Sequence, residues 1–98
     1  MAKKIQPIDI WVDGQTQVGQ FLKVTCSNDN YQDSATNLWQ IFTLKVMEDG
    51  TEQPNFQISQ GYMTISGEDY VNWGEQPAMA VNDWIYNWVA SKLNIVII

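Results

Sequence analysis

Side chains that commonly transfer protons or bind phosphate are scarce in this chain of 98 residues. It has no histidine, and all five of its basic residues are lysines. Without histidine and arginine the chain cannot build a Ser-His-Asp or Cys-His site, a histidine-ligated zinc or an arginine clamp on phosphate. Its glycines are too widely spaced for a phosphate-binding loop. We therefore predict that the protein is not an enzyme and has no catalytic residues and no cofactor.

Paired carboxylates are the remaining arrangement for acid and base chemistry. Asp9 and Asp13 lie on one face of a predicted strand, beside Trp11, and form the best candidate pair. The strand between them places their Cα atoms roughly 13 Å apart, which exceeds the usual separation of two catalytic carboxyl groups. We therefore interpret them as part of a solvated strand face.

Acidic loops are the candidates for a metal site. Asp29, Asp33 and neighbouring amides could offer oxygen ligands to calcium, and residues 48–52 form a second acidic cluster at a predicted turn. The spacing matches no EF-hand, and polar loops of this composition usually bond to their own backbone. The sequence therefore predicts no metal site.

Charge and composition exclude several classes of partner. The net charge is -6, and the lysines are too scattered to displace phosphate counterions, so we expect no nucleic acid partner. Neither a polybasic segment nor an apolar run of ~20 residues is present, so we expect no membrane association. The first ten residues lack the apolar stretch of a signal peptide, and secretion by that route is not expected. Cys26 is the only cysteine, which excludes an internal disulfide and predicts a small core residue.

Apolar and polar residues alternate in the first third of the chain. Residues 5–13 and 20–27 each show the period of a half-buried strand. The two strands could form a hairpin through residues 14–19. Residues 27–34 are rich in Ser, Asn and Asp and are typical of a loop.

Two longer strands are predicted in the middle of the chain. Residues 37–48 are apolar on both faces, which favours a central strand or one covered by a partner. Asp49-Gly50 predicts a hairpin turn, because both residues tolerate positive φ. In the following strand, 56–66, the inward face changes near Gln60-Gly61, which predicts a bulge there.

Helical spacing characterises the last third. Ser66 and Asp69 have the spacing of a capping box, which predicts a short helix near 67–73. Apolar residues recur every three or four positions near 78–93, which predicts the main helix. The apolar end, 95–98, predicts a short terminal strand joined by a parallel crossover. The fold class is therefore α+β, a single domain over 1–98 with a mostly antiparallel sheet of about five strands and helices packed on it.

Aromatic content is the unusual feature, with five tryptophans in so short a chain. Tryptophan is enriched where surfaces are buried against a partner. Trp84 and Trp88 fall on the apolar face of the main helix and are predicted to lie in the core. The remaining candidates for interface or ligand contact are Trp11, Trp39, Ile41 and Trp73. For Trp11 and Trp39, a second covered surface, a sugar-stacking platform and a three-layer core all remain open.

Two segments in the C-terminal half resemble a known group of proteins. The runs 67–73 (Gly-Glu-Asp-Tyr-Val-Asn-Trp) and 88–94 (Trp-Val-Ala-Ser-Lys-Leu-Asn) are similar to small uncharacterised proteins of marine tailed bacteriophages. A fainter likeness covers Ser34-Ala35-Thr36. The resemblance spans about half of the chain and includes no catalytic motif. It implies a phage origin, a role as a small virion or assembly component, and a location in the virion or the host cytoplasm.

Two functions from different classes are consistent with these observations. The first is a non-enzymatic structural or interaction protein that forms a homo-oligomer or joins other virion proteins. The second is a carbohydrate-binding module in which Trp11, Trp39 or Trp73 stacks on sugar rings, with a glycan as ligand. A carboxylate enzyme ranks last, because it needs two acids that approach closely.

Overall fold

The computed structural model describes residues 2–77 and 80–98. Four strands come first along the chain and the two helices follow them, as predicted. The elements are β1 (Lys3–Val12), β2 (Gln15–Asp29), β3 (Ser34–Val46), β4 (Glu52–Ser66), α1 (Gly67–Gly74) and α2 (Val81–Lys92). The main helix was expected from residue 78, but positions 78 and 79 lie outside the described residues.

The strands form one antiparallel sheet in the order β1-β2-β3-β4. The predicted α+β class with helices packed on the sheet is therefore confirmed. The expectation of about five strands is corrected to four over the described ranges, because the terminal apolar residues form only an isolated bridge between Ile5 and Ile97. That bridge is antiparallel, so the predicted parallel crossover is wrong. Asn94 adopts a φ of 57° at the end of α2, and the amide of Ile95 donates to the Ala90 carbonyl, which turns the chain back toward β1.

Two Asp-Gly pairs make the hairpin turns. Asp13 and Gly14 have φ values of 47° and 84°, and Val12 pairs directly with Gln15, as in a two-residue type I′ turn. The hairpin predicted through residues 14–19 thus closes much earlier than expected. The predicted turn at Asp49-Gly50 is confirmed, with Gly50 at a φ of 87°.

Strand β4 changes its inward face at a bulge, as the residue parity predicted, but at a different position. Ile41 pairs with Ser59 and Phe42 with Gln57, so Ile58 is the extra residue. Gly61, where the bulge was expected, pairs regularly with Trp39. The glycine is required there for another reason, since a Cβ at Gly61 would lie 2.6 Å from the Trp39 ring.

The two helices cover one face of the sheet. Ser66 holds the N-cap position of α1, but its side chain makes no capping hydrogen bond, so the predicted capping box is not formed. Helix α2 buries Ile85, Tyr86, Val89 and Ala90, whereas Trp84 and Trp88 are only half-buried beside them. The buried face of α2 is therefore rotated toward Tyr86 and Ala90 and away from the predicted Trp84 and Trp88.

The core lies between that sheet face and α2. Strand residues at its centre are fully or almost fully buried: Ile5, Leu22, Ala35, Ile41 and Ile65. Ile95 closes the core from the C-terminal segment. Cys26 was expected in this interior, but its side chain is exposed, so that prediction is wrong.

The sheet curls toward its other face at one end. Lys4 on β1 forms an ion pair with Glu52 on β4, although these are the two outer strands. Lys4 pairs with Phe21, and Phe21 with Phe42, so these three residues share the face away from the helices. Phe21 is only 7% exposed although it lies outside the main core. The curl therefore buries a second, small apolar contact under the end of the β3–β4 hairpin.

Candidate interaction surface

The sheet face away from the helices is left uncovered by them. Away from the Glu52 end of β4, this face is formed on β3 and β4 by uncharged side chains: Thr36, Leu38, Gln40, Phe42, Gln57, Gln60, Tyr62 and Thr64. Hydrogen bonds link its polar groups, with Gln40 donating to Gln57, Gln57 donating to Gln60 at 3.1 Å, and Thr36 and Thr64 joined at 3.2 Å. The result is a preformed surface of amides, hydroxyls and apolar carbon.

Large apolar side chains project from the strands into solvent. Tyr62 is 68% exposed and lies on the uncovered face, opposite Leu38. Phe56, near the bulge of β4, is 71% exposed. Trp11 is 73% exposed at the tip of the β1–β2 hairpin, on the side of Val18, which is also exposed. A small domain that exposes this many large apolar groups on strands is expected to use some of them for contact.

The four candidate contact residues occupy different environments. Trp11 is open to solvent, whereas Ile41 is 3% exposed and belongs to the core. Trp39 and Trp73 are half-buried and pack against that core on the helix side. The Trp73 indole donates to the Val81 carbonyl at 3.1 Å and contacts the edge of Tyr70. Of the three tryptophans proposed to stack on sugar, only Trp11 presents an open ring.

The exposed aromatic residues Phe56 and Tyr62 were not identified from the sequence. Parity alone cannot assign them to a face until the bulge at Ile58 is located. A usable signal was present, since residues 53–67 contain no charged side chain at all. In an acidic chain, an uncharged run of this length in an outer strand indicates a surface on which two copies of the chain would not repel each other electrostatically.

A small cavity lies between the sheet and the helices. It has a volume of about 110 Å³ and is lined by Val24, Cys26, Asn37, Trp73, Val81, Asn82 and Ile85. Asn37 is 1% exposed, and among the described residues neither its amide nitrogen nor its amide oxygen has a hydrogen-bond partner. Burial raises the pKa of the neighbouring Cys26 thiol, and the Asp29 carboxylate raises it further. The thiol is thereby disfavoured as a nucleophile at neutral pH.

The β2–β3 loop, considered above for calcium, is organised by its own side chains. The Asn30 side-chain oxygen accepts from the amides of Gln32, Asp33 and Ser34. An Asp29 carboxylate oxygen accepts from the Tyr31 amide and from the Tyr70 hydroxyl, the latter at 2.7 Å. Within residues 2–77 and 80–98, no cluster of three metal-ligating side chains occurs.

The Asp29–Tyr70 hydrogen bond links this loop to α1 and predicts a pH dependence. It raises the pKa of Tyr70 from 10.0 to about 12, chiefly because the phenol proton is held by the carboxylate. A raised native pKa means that this contribution to stability is complete below pH 10 and is lost as the pH rises toward 12. We expect the free energy of unfolding, measured in urea, to fall more steeply over this range for the wild type than for Tyr70→Phe.

The matched comparison for this prediction is Tyr31→Phe, because Tyr31 lies in the β2–β3 loop, is exposed, and makes only a minor electrostatic contribution to the raised pKa of Tyr70. It should keep most of the wild-type slope. Equal slopes for the wild type and Tyr70→Phe would show that the hydrogen bond does not exist in solution.

No helix in the described part of the chain is long and apolar enough to cross a membrane.

Comparisons with protein-family models, with curated proteins and with solved structures found no match to this chain.

Proposed function

We propose that this protein is a non-enzymatic structural or interaction protein that self-associates, as a component of a larger assembly. The observation that carries the proposal is the uncovered sheet face, which bears no charge between Gln57 and Thr64 of β4 or on the β3 residues opposite them, and which presents Tyr62 at 68% exposure. Such a surface favours contact with another protein over contact with water. The sequence resemblance to tailed-phage proteins supports a virion or assembly role.

Electrostatics decides which surfaces of the molecule can meet. Two copies with a net charge of -6 repel each other at long range. Contact is therefore least unfavourable where both surfaces lack charge, as the uncovered face does over the second half of β4 and the β3 residues paired with it. Salt screens the remaining repulsion without weakening apolar contact.

Light scattering after size-exclusion chromatography, over a range of protein and salt concentrations, tests the proposal. We expect a discrete oligomer whose dissociation constant falls as the ionic strength rises from about 0.05 M to about 0.5 M. A mass of 11.2 kDa at high protein concentration and at both the low and the high ionic strength would contradict the proposed self-association.

A further inference from the structure

The two outer edges of the sheet differ in how far they are occupied. Along β1, the C-terminal segment already takes part of the edge, since the Gln6 amide donates to the Val96 carbonyl and the Ile98 amide donates to the Lys4 carbonyl. Pro7 in the same strand has no amide proton to offer. Strand β4 pairs with β3 on one side, and no other strand in the described ranges lies beyond it. The edge of β4 is therefore the less occupied of the two.

The second half of strand β4 also lacks the features by which outer strands usually avoid pairing. Natural outer strands carry lysines, inward-pointing charges, prolines or bulges, or are very short. Strand β4 has 15 residues, and residues 53–67 form the longest uncharged run in the chain. Pro54 and the bulge at Ile58 lie in its first half, whereas Ser59–Ser66 pairs with β3 without interruption. This second half is a regular edge with free backbone groups on its outer side.

We propose that strand β4 pairs with strand β4 of a second copy of the chain, antiparallel about a twofold axis beside Tyr62, to form a continuous eight-stranded sheet. The inference rests on the proposed self-association and specifies its surface. A second copy is the occupant because the edge is uncharged, so it offers nothing to a cationic or anionic partner, and two acidic copies can approach there. An antiparallel pair of identical strands is self-complementary and closes as a dimer.

The position of the axis follows from the pairing rules. Residues directly opposite each other in a sheet point to the same face. When two identical strands pair, an even-numbered residue must therefore lie opposite an even-numbered one, and an odd-numbered residue opposite an odd-numbered one. Tyr62 and Met63 lie at the middle of the regular segment. Met63 already packs against the core, whereas Tyr62 is 68% exposed. Pairing Tyr62 with its own copy buries the larger free area and places Gln60 opposite Thr64.

The surroundings of the edge leave room for a partner strand. A groove of about 360 Å³ runs beside it, lined by Met63, Thr64, Ser66, Asp69, Trp88 and Lys92. Because Met63 and Thr64 point to opposite faces of the sheet, a groove that contacts both lies along the strand edge itself. The Trp88 indole donates to Asp69 at 3.2 Å, which fixes the wall of the groove.

Charge substitutions separate the edge from the rest of the face. Tyr62→Lys places two cations together at the axis, where like charges opposite each other are destabilising. Thr25→Lys is the matched control, since Thr25 is exposed on the same face but belongs to the inner strand β2. We expect light scattering to show twice the mass of 11.2 kDa for the wild type and for Thr25→Lys, and a monomer for Tyr62→Lys. Far-ultraviolet circular dichroism checks that each variant is folded.

A disulfide locates the axis independently. In a Cys26→Ser background, Tyr62→Cys should form an intermolecular disulfide under mild oxidation, because directly opposed strand residues lie about 4.5–5.5 Å apart at Cα. Thr25→Cys in the same background should not. If both Tyr62→Lys and Thr25→Lys were monomeric, the edge pairing would be overturned while self-association remained. The same conclusion would follow if Tyr62→Lys stayed dimeric and Tyr62→Cys formed no intermolecular disulfide. A monomeric wild type would remove both, and co-purification of a different chain paired with β4 would exclude a second copy as the occupant.

Discussion

Replacing Asn37 by leucine should raise the free energy of unfolding by about 1–3 kcal/mol. Leucine has nearly the same shape as asparagine but no polar atoms to satisfy. The wild-type side chain is 1% exposed in a central strand, and both of its polar atoms lack a partner. A buried polar group without a hydrogen bond carries its full desolvation penalty, which the substitution removes.

The neighbours of Asn37 favour the substitution. Asn37 pairs with Cys26 on one side and Met63 on the other, and Trp73 and Ile85 line the same cavity. Leucine would therefore meet mostly apolar or weakly polar atoms. The added apolar burial has the same sign as the removed penalty, so the two contributions reinforce each other.

Urea unfolding monitored by tryptophan fluorescence measures the effect. Asn55→Leu is the control, because Asn55 is exposed on β4 and its replacement should change stability by no more than about 0.5 kcal/mol. If Asn37→Leu left the stability unchanged or lowered it, the amide would be satisfied in solution by an occupant of the 110 Å³ cavity. A structure of the wild type at high resolution would then identify that occupant.

The parts of the fold that the sequence predicts are those encoded locally. Asp49-Gly50 determines a turn by backbone preference alone, and the repeat of apolar residues over 81–92 determines a helix in the same way. Asp13-Gly14 has the same turn preference. The apolar alternation of the next strand begins only at residue 20, however, so the sequence indicated a longer connection through residues 14–19. The polar residues of 15–19 form strand because β1 pairs with them, which is a tertiary effect.

Assignment of residues to faces could not be predicted, because it depends on pairing between distant segments. The extra residue at Ile58 changes the side on which the residues just before it point, and a second register shift between Gln57 and Pro54 changes it back. Tyr86 shows the same difficulty on a helix: it is fully buried although its neighbours Trp84 and Trp88 suggested another stripe. The uncovered face and its Tyr62 emerge only when strand order and register are known.

Buried polarity was equally hidden from the sequence. Asn37 stands at the start of a run that is apolar on both faces, and asparagine is ordinarily exposed, so nothing in the sequence marks its side chain as buried. Only the cross-strand pairs with Cys26 and Met63 show that its side chain points toward the helices. The exposure of Cys26, one strand away, shows how quickly burial changes across this sheet.

Gly61→Ala should lower the free energy of unfolding by about 1–3 kcal/mol, even though alanine is better suited to strands than glycine. An alanine Cβ would lie 2.6 Å and 2.8 Å from two carbons of the Trp39 ring and 3.0 Å from its nitrogen. The ring is rigid and packs against the core, so it must shift as a unit, and that displacement opens the contact beneath it. Thermal and urea unfolding would measure the loss.

A double-mutant cycle identifies Trp39 as the cause. In a Trp39→Leu background, Gly61→Ala should cost much less, or become slightly stabilising, because the smaller side chain leaves room for the added methyl group. Gly74→Ala controls for the general effect of removing a glycine, since a Cβ there meets no atom of the described ranges within 4 Å. An equal cost of Gly61→Ala in both backgrounds would contradict the contact with Trp39. A coupling of about 1 kcal/mol or more would show that the ring, which the sequence suggested as a surface contact, holds β3 and β4 together from the core side.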